Sequence, residues 1–392
     1  DARVTITDFV GGAAAPYLST YSGLRLAGGS LDLDAKLSES WEGRQAVVKV
    51  GGTFDVGLDT EATLTFTQFV QILKGTIAGV GWSDGRIMLS LREGLQKLTE
   101  PVQTNTYGGA GGTDGGDQIK GLRKPLSYGT VLNREAQLVD AATQTYQWHD
   151  GVVDAVLAVR DHGAALTLDI AGDVADILAA TAPQPGTYIT QNSGGYIRLG
   201  GTPDERITID GRGDKTGGVF VQTTAGIAKR VAVRGGIVGP GGFEGGSFSG
   251  FPDDSVVAFV PDDGETAISC ISRLLSGICG WVSITRDGLL RIGKYVEPDT
   301  ASVSATITDD VLETIEDETQ LPPAWRIEVE YARNWTVQDV DALSDLLSPA
   351  TREIYSEPYR LAVHEDAAIK TTHKDARVVR VAGFQANESD AL

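Results

Sequence analysis

The chain has 392 residues, room at roughly 100 to 200 per domain for two or three units with their own cores, which excludes a small stapled scaffold. Lys and Arg number 33 against 53 Asp and Glu, and a formal net charge of −20 argues against wrapping nucleic acid, which it would repel. The 49 Gly and 14 Pro describe a turn-rich globular protein rather than a low-complexity one, one Met and two Cys leave little for sulfur chemistry, and no apolar run is long enough for a membrane-spanning helix.

The first hundred residues read as strands. Val4, Ile6 and the Phe9-Val10 pair open the chain, and Gln45 to Val50 form a second apolar run. Thr63 to Trp82 alternates loosely and turns at Ser83-Asp84-Gly85 into Arg86 to Leu91, where Ile87, Leu89 and Leu91 share a face. An Asp-Gly pair supplies the positive φ angles of a tight hairpin turn. Arg92 to Leu98 fits one or two helical turns, and the glycine-rich stretch Tyr107 to Asp117 predicts a loop that packs nothing.

From Lys124 to about Asp214 strands dominate again. Val152 to Thr167 predicts a hairpin turning at Asp161-His162-Gly163, and Tyr196 to Leu199 and Ile207 to Ile209 predict two more strands. Thr223 to Val233 fits a helix, with Ile227 and Val231 four apart and the Thr223-Thr224 pair at its start. Gly235 to Gly250 is a second glycine-rich crossing.

The last third opens with a strand at Val256 to Val260 and the acidic turn Pro261-Asp262-Asp263-Gly264. Apolar residues from Ile268 to Ile278 recur at helical spacing over Glu265 to Ile278, with Gly280 as the stop. Cys270 and Cys279 fall on opposite faces of that segment, so a disulfide between them is not expected and both read as small buried hydrophobes. Trp281 to Ile284 and Leu289 to Ile292 flank a turn at Arg286-Asp287-Gly288, Trp325 to Glu330 alternates as a strand, and Asp339 to Leu347 reads as a helix ended by Pro349. The sum is a mainly β fold with a few short helices, of the α+β class, divided by the two crossings into 1–123, 124–250 and 251–392.

Catalytic signatures are missing from the sequence. His149-Asp150, Asp161-His162 and His364-Glu365-Asp366 are sequence neighbours, which a strand points to opposite faces, so they read as turn residues rather than as a relay. No His or Cys spacing fits a metal site, and no nucleophile elbow, phosphate loop or dinucleotide fingerprint occurs. The expectation is a protein that is not an enzyme and uses no metal or cofactor. Asp210-Gly-Arg212-Gly-Asp214 reads as a tight turn, since Arg212 stands where a calcium loop needs an oxygen ligand.

Several elements in order resemble a known family. They are Lys124-Pro125 with Gly129 and Asn133, Tyr146-Gln147-Trp148-His149-Asp150-Gly151, Asp161-His162-Gly163, Gly194 to Gly200, Ile207 to Asp210, Ala228 to Ala232, Glu265 to Gly293, Pro323 to Arg326 and Tyr331 to Gln338. Gly43-Arg44, Lys74 to Ile77 and Glu365 to Lys370 fit the same pattern, while the region before Gly43 departs from it. Together they resemble the tail-tip, or baseplate hub, proteins of long-tailed phages of the siphophage type.

That resemblance implies two hub-type β-barrel domains with a middle β-rich insertion, and further β-rich chain beyond Leu392. It implies a homotrimer at the distal end of the tail tube, in a virion assembled in the host cytoplasm, with a tail or tube protein and a central fibre or tip protein as partners. DNA would pass through without specific binding. An acidic lining lets DNA slide where a basic one would trap it, which makes Asp262 and Asp263 the channel-lining candidates. The alternative is a receptor-binding module that recognises a host surface glycan, with Trp148 as the candidate sugar-stacking residue. A peptidoglycan hydrolase is the third class, and no motif supports it.

Overall fold

Alternating apolar residues and Gly-containing turns produce a mainly β structure in which several sheets outweigh a few short helices. The computed structural model describes residues 2–6, 26–27, 30–31, 42–50, 54–55, 61–62, 69–83, 86–92, 94–234, 240–296 and 321–391. The Phe9-Val10 pair, the Asp84-Gly85 turn and residues 235–239 of the second crossing lie outside them. The chain divides into two compact units, one formed by Asp1–Leu98, Val238–Glu244 and Ser283–Arg291, the other by Thr99–Ile237, Gly245–Val282 and Ile292–Leu392.

The first unit holds β1 (Ala2–Ile6), β2 (Leu26–Ala27), β3 (Ser30–Leu31), β4 (Gln45–Val50), β5 (Phe54–Asp55), β6 (Glu61–Ala62), β7 (Val70–Ser83) and β8 (Arg86–Arg92). Four of these form an antiparallel sheet in the order β1-β8-β7-β4. The predicted hairpin is present, with Ser83 opposite Arg86. Gly75 lets β7 and β8 approach, since a Cβ there would lie 2.6 Å from the Arg92 carbonyl oxygen. The Arg286-Asp287 turn belongs to this unit through Gln71, whose Nε2 donates to the Arg286 carbonyl and to Asp287 Oδ1, each at 2.9 Å.

In the second unit, β9 (Tyr128–Glu135), β10 (Gln137–Asp140), β11 (Thr145–Gln147), β12 (Val153–Asp161), β13 (Ala164–Ala165), β14 (Thr167–Asp173), β15 (Thr187–Gln191), β16 (Tyr196–Leu199), β17 (Ile207–Asp214) and β18 (Ala258–Phe259) form two five-stranded sheets. Their orders are β10-β11-β16-β15-β14 and β13-β12-β17-β9-β18. One core joins the two sheets: Tyr146, Trp148, Tyr188 and Ile197 meet Val131, Val153, Val159 and Ile209. Each fully buried aliphatic of that cluster contributes about 1.5–3 kcal/mol. The β12–β13 turn is formed by His162 and Gly163, at φ 38° and 86°, the paired positive values that match the twist of a two-residue hairpin.

Helices of this unit lie between and after these strands. Thr223 caps α1 (Thr224–Arg234), its Oγ1 accepting from Gly226 N at 3.3 Å, and Ile227 and Val231 are buried as their spacing predicts. A five-residue α2 (Gly245–Ser249) lies inside the second crossing. Thr266 caps α3 (Ala267–Ser276), which ends at Gly277, before the expected Gly280. Gly280 instead opens β19 (Gly280–Ile284), the partner of β20 (Leu290–Lys294). Helices α1 and α3 pack together, and Ala228, Val231, Cys270 and Leu274 on them are buried.

The C-terminal part builds a three-stranded sheet on β21 (Ala324–Tyr331), with α4 (Pro349–Ser356) before β22 (Arg360–Glu365), then α5 (Ala367–Thr372), β23 (Arg377–Val381) and α6 (Glu388–Ala391). Strand β22 runs antiparallel and β23 parallel to the central β21.

Several local expectations are corrected. Asp210 to Asp214 is strand, not turn, because Gly211 and Gly213 face a crowded core: a Cβ on Gly211 would meet the Trp148 ring at 2.4 Å, and one on Gly213 the Ser127 carbonyl at 2.1 Å. The loop 107–117 does pack, through Tyr107, which meets Ile119 and Val139 with 1 % of its surface exposed. Asp114 pins it, accepting from Gly108 N at 3.1 Å. Pro349 starts a helix instead of ending one: it occupies the first turn of α4, where its missing N–H costs nothing, behind the cap Ser348. Only the short 3-10 turn Val340–Ala342 forms in the span expected to be helical. Cys270 is buried and Cys279 exposed, and both are free. Among the described residues no sheet closes into a barrel.

Candidate functional site

Strand β18 delivers the chain into the acidic turn, and the turn is tightly tied. Asp262 N donates to Glu265 Oε2 at 3.0 Å, Glu265 N donates back to the Asp262 carbonyl at 3.1 Å, and Gly264, at φ 71°, donates to Gln103 Oε1 at 3.1 Å. The two carboxylates predicted as channel lining are exposed, Asp262 by 76 % and Asp263 by 85 % of the side chain. Neither charge stands alone. Arg273 Nη1 lies 2.6 Å from both Asp262 Oδ2 and Glu265 Oε2, and Arg123 Nε lies 3.7 Å from Asp263 Oδ1. Burial pushes the Glu265 carboxyl up, but the Asp262 N–H, Ser269 and Arg273 outweigh it and hold the group below its ordinary value.

The turn forms one wall of a cleft of about 790 Å³. Arg134 and Glu135 from the end of β9, Leu138 from β10, Arg206 before β17, and Arg333 and Trp335 after β21 contribute the rest of its chemistry. Arg206 pairs with Glu135 at 3.5 Å, and the Arg333 guanidinium lies over the Trp335 ring at 5.3 Å. Arg134 is different. Its Nε is buried with no hydrogen-bond partner among the described residues, and burial draws its pKa down against the charges of Glu135 and Asp262. Trp335 Nε1 is a second buried donor without an acceptor. The two buried donors stand among the cleft's four arginines and four carboxylates, so the lining is balanced in charge.

A second polar centre lies inside the sandwich. His149 lies in the bend after β11, as expected of a turn residue, and is fully buried; its Nδ1 accepts from Ser127 N at 3.0 Å, which places the proton on Nε2, facing Asp214 Oδ1 at 3.6 Å. Thr216 Oγ1 donates to Asp214 at 2.6 Å, and Arg230 Nε lies 3.4 Å from its other oxygen. Serine, histidine and aspartate are thus close, yet Ser127 Oγ donates to the Trp148 carbonyl at 3.0 Å and not to the imidazole. The arrangement lacks the nucleophile-to-base contact of a hydrolase triad and is sealed from substrate. His364, also read as a turn residue, lies exposed in β22.

Trp148 is corrected too. It is wholly buried against Gly211 in the sandwich core, so its ring offers no face to a sugar. Asp161, His162 and Asp204 converge within 4.8 Å, but the Asp161 carboxylate is already used, accepting from Asp204 N at 2.8 Å and Glu205 N at 3.0 Å. It fixes the loop that carries Arg206 into the cleft.

Of the residues singled out by sequence, the cleft gathers Asp262 and Asp263, and it leaves Trp148 in the core. Arg134, Arg206, Arg333 and Trp335 were missed as a group. Arg134 follows the motif residue Asn133, and Arg333 and Trp335 lie inside the motif Tyr331 to Gln338, which was the one available signal. No family model matches the chain, and no curated protein matches it. No helix among the described residues is long and apolar enough to cross a membrane.

Proposed function

We propose that the chain is a structural hub of the tail tip of a long-tailed, phage-like particle, a non-enzymatic virion protein that surrounds the path of DNA and anchors tip and fibre proteins. The observation that carries this reading is the convergence of the motif residues. Asn133 hydrogen-bonds Asn334 at 2.9 Å, Gln338 reaches Asn133 at 3.1 Å, and a Cβ on Gly195 would meet the His149 carbonyl at 2.2 Å. Motifs up to 205 residues apart therefore interlock in one fold, as expected if their order reflects a shared architecture rather than chance.

In this reading three copies form a ring under the tail tube, and the open sheets of each copy are arcs of the two hub barrels that neighbouring copies continue. The net charge of −20 suits a conduit that must not hold DNA, and the exposed Asp262 and Asp263 suit its lining. Light scattering with negative-stain images of the same peak tests it. The expected result is three times the 41.4 kDa chain mass and a ring with an open channel. A compact monomer at every concentration counts against the ring.

A further inference from the structure

Buried polar atoms that lack a hydrogen bond gather where α1 meets the sandwich. His149 Nε2, Asp214 Oδ2, Tyr128 Oη and Arg234 Nε are each buried with no hydrogen-bond partner among the described residues. They share one neighbourhood. His149 Nε2 stands 3.6 Å from Asp214 Oδ1, Arg230 Nε makes an ion pair with Asp214 Oδ2 at 3.4 Å, and the Tyr128 ring meets the His149 ring edge-on at 6.3 Å. Burial pushes the Tyr128 hydroxyl up; Arg234 opposes this and Asp214, Cys270 and Asp150 add to it, so the hydroxyl lies within electrostatic reach of those groups. A native protein leaves few buried polar atoms unmet, and a polar gap just beyond hydrogen-bond length is where a bridging water belongs.

We propose that this centre binds internal water, which bridges His149 Nε2 and Asp214 Oδ2, extends to the Tyr128 hydroxyl and to Arg234 on α1, and so fastens that helix to the sandwich. The surrounding groups choose the occupant. Arg230 and Arg234 are balanced by Asp214 and Asp150, so an added ion of either sign would bury an uncompensated charge. Ser127 N donates to His149 Nδ1 at 3.0 Å, which leaves Nε2 with the proton and makes it a donor. Arg234 Nε also donates, whereas the Asp214 carboxylate only accepts, so the occupant must do both. These atoms have almost no accessible surface, which suits a sealed water and excludes a larger ligand or a docking partner. The inference holds whether or not the protein forms a hub ring.

A crystal structure of the full chain and thermal unfolding of Tyr128→Phe test it. The crystal should show solvent density within hydrogen-bond distance of His149 Nε2 and Asp214 Oδ2, and a bromide soak should leave no anomalous peak there. An anomalous peak would make the occupant an anion, and side chains closed onto one another without density between them would make the centre dry; either result overturns the proposal. Tyr128→Phe removes only the hydroxyl. A hydrated hydroxyl loses a hydrogen bond with this change, so the unfolding midpoint should fall by about 2–4 °C, whereas removing an unmet hydroxyl relieves a buried polar group and raises the midpoint. An unchanged or higher midpoint therefore overturns the proposal. Should Tyr128→Phe fail to fold, the crystal structure decides alone.

Discussion

Asn133 and Asn334, 201 residues apart, share a buried hydrogen bond in which Asn133 Nδ2 donates to Asn334 Oδ1 at 2.9 Å. Around it the network is saturated: Asn334 Nδ2 donates to the Tyr355 carbonyl at 2.8 Å and the Glu357 carbonyl at 3.0 Å, while its Oδ1 also accepts from Thr336 N at 3.1 Å. Strand β9 is thereby joined to the chain that follows β21. Replacing Asn334 by Ala strands several buried groups at once, at about 1–3 kcal/mol each before relaxation. Asn334→Ala should therefore lose roughly 3 kcal/mol or more in urea denaturation. A loss below about 0.5 kcal/mol would mean that water replaces the side chain without penalty.

Gly211 should be nearly irreplaceable, for a different reason. Its φ is not in the left-handed region, so the backbone would accept alanine, but the added Cβ falls 2.4 Å from Cη2 of the buried Trp148 ring. Overpacking of this kind costs about 1–3 kcal/mol. Gly201→Ala is the control, since nothing lies within 4 Å of its Cβ position. Thermal unfolding should show a lower midpoint for Gly211→Ala and little change for Gly201→Ala; equal midpoints would refute the packing argument.

These two sites show what was legible in the sequence. Strands and hairpins came through wherever alternation and turn chemistry agreed, as at His162-Gly163 between β12 and β13. Gly211 and Gly213 misled because glycine reads as a turn when the reasons for it, a tryptophan 63 positions from Gly211 and the Ser127 carbonyl beside Gly213, are tertiary. Pro349 misled because proline can open a helix or follow one, and the cap Ser348 decides which. The cleft was illegible as a site. Its arginines come from separate segments of the chain, and no spacing in one dimension announces that they face one volume.

Acid should weaken the fold through Asp214. Burial pushes its carboxyl up, but His149, Thr216 and Arg230 more than offset that, leaving it below the ordinary carboxylate value. With the folded pKa below the unfolded one, the unfolded state binds more protons in between. The contribution is therefore fully present above the unfolded value of ~3.9 and is lost as pH falls through the folded one. Stability of the Asp214→Asn variant should be lower than wild type at pH 6, and the gap should narrow as pH drops below about 4. A gap independent of pH would show that the carboxylate charge plays no part.

The two thiols should separate cleanly. Cys270 is fully buried in α3, where burial first and Glu265 second push its pKa well above that of a free thiol, and the thiolate is the reactive form. Cys279 is exposed, just past the helix, at φ 54°. A thiol reagent should thus label one cysteine per chain under native conditions and two in guanidinium, with Cys279→Ser removing the fast reaction and Cys270→Ser leaving it. Fast labelling of both thiols in the native protein would mean that α3 opens on the timescale of the reagent, and would place that helix among the least stable parts of the unit.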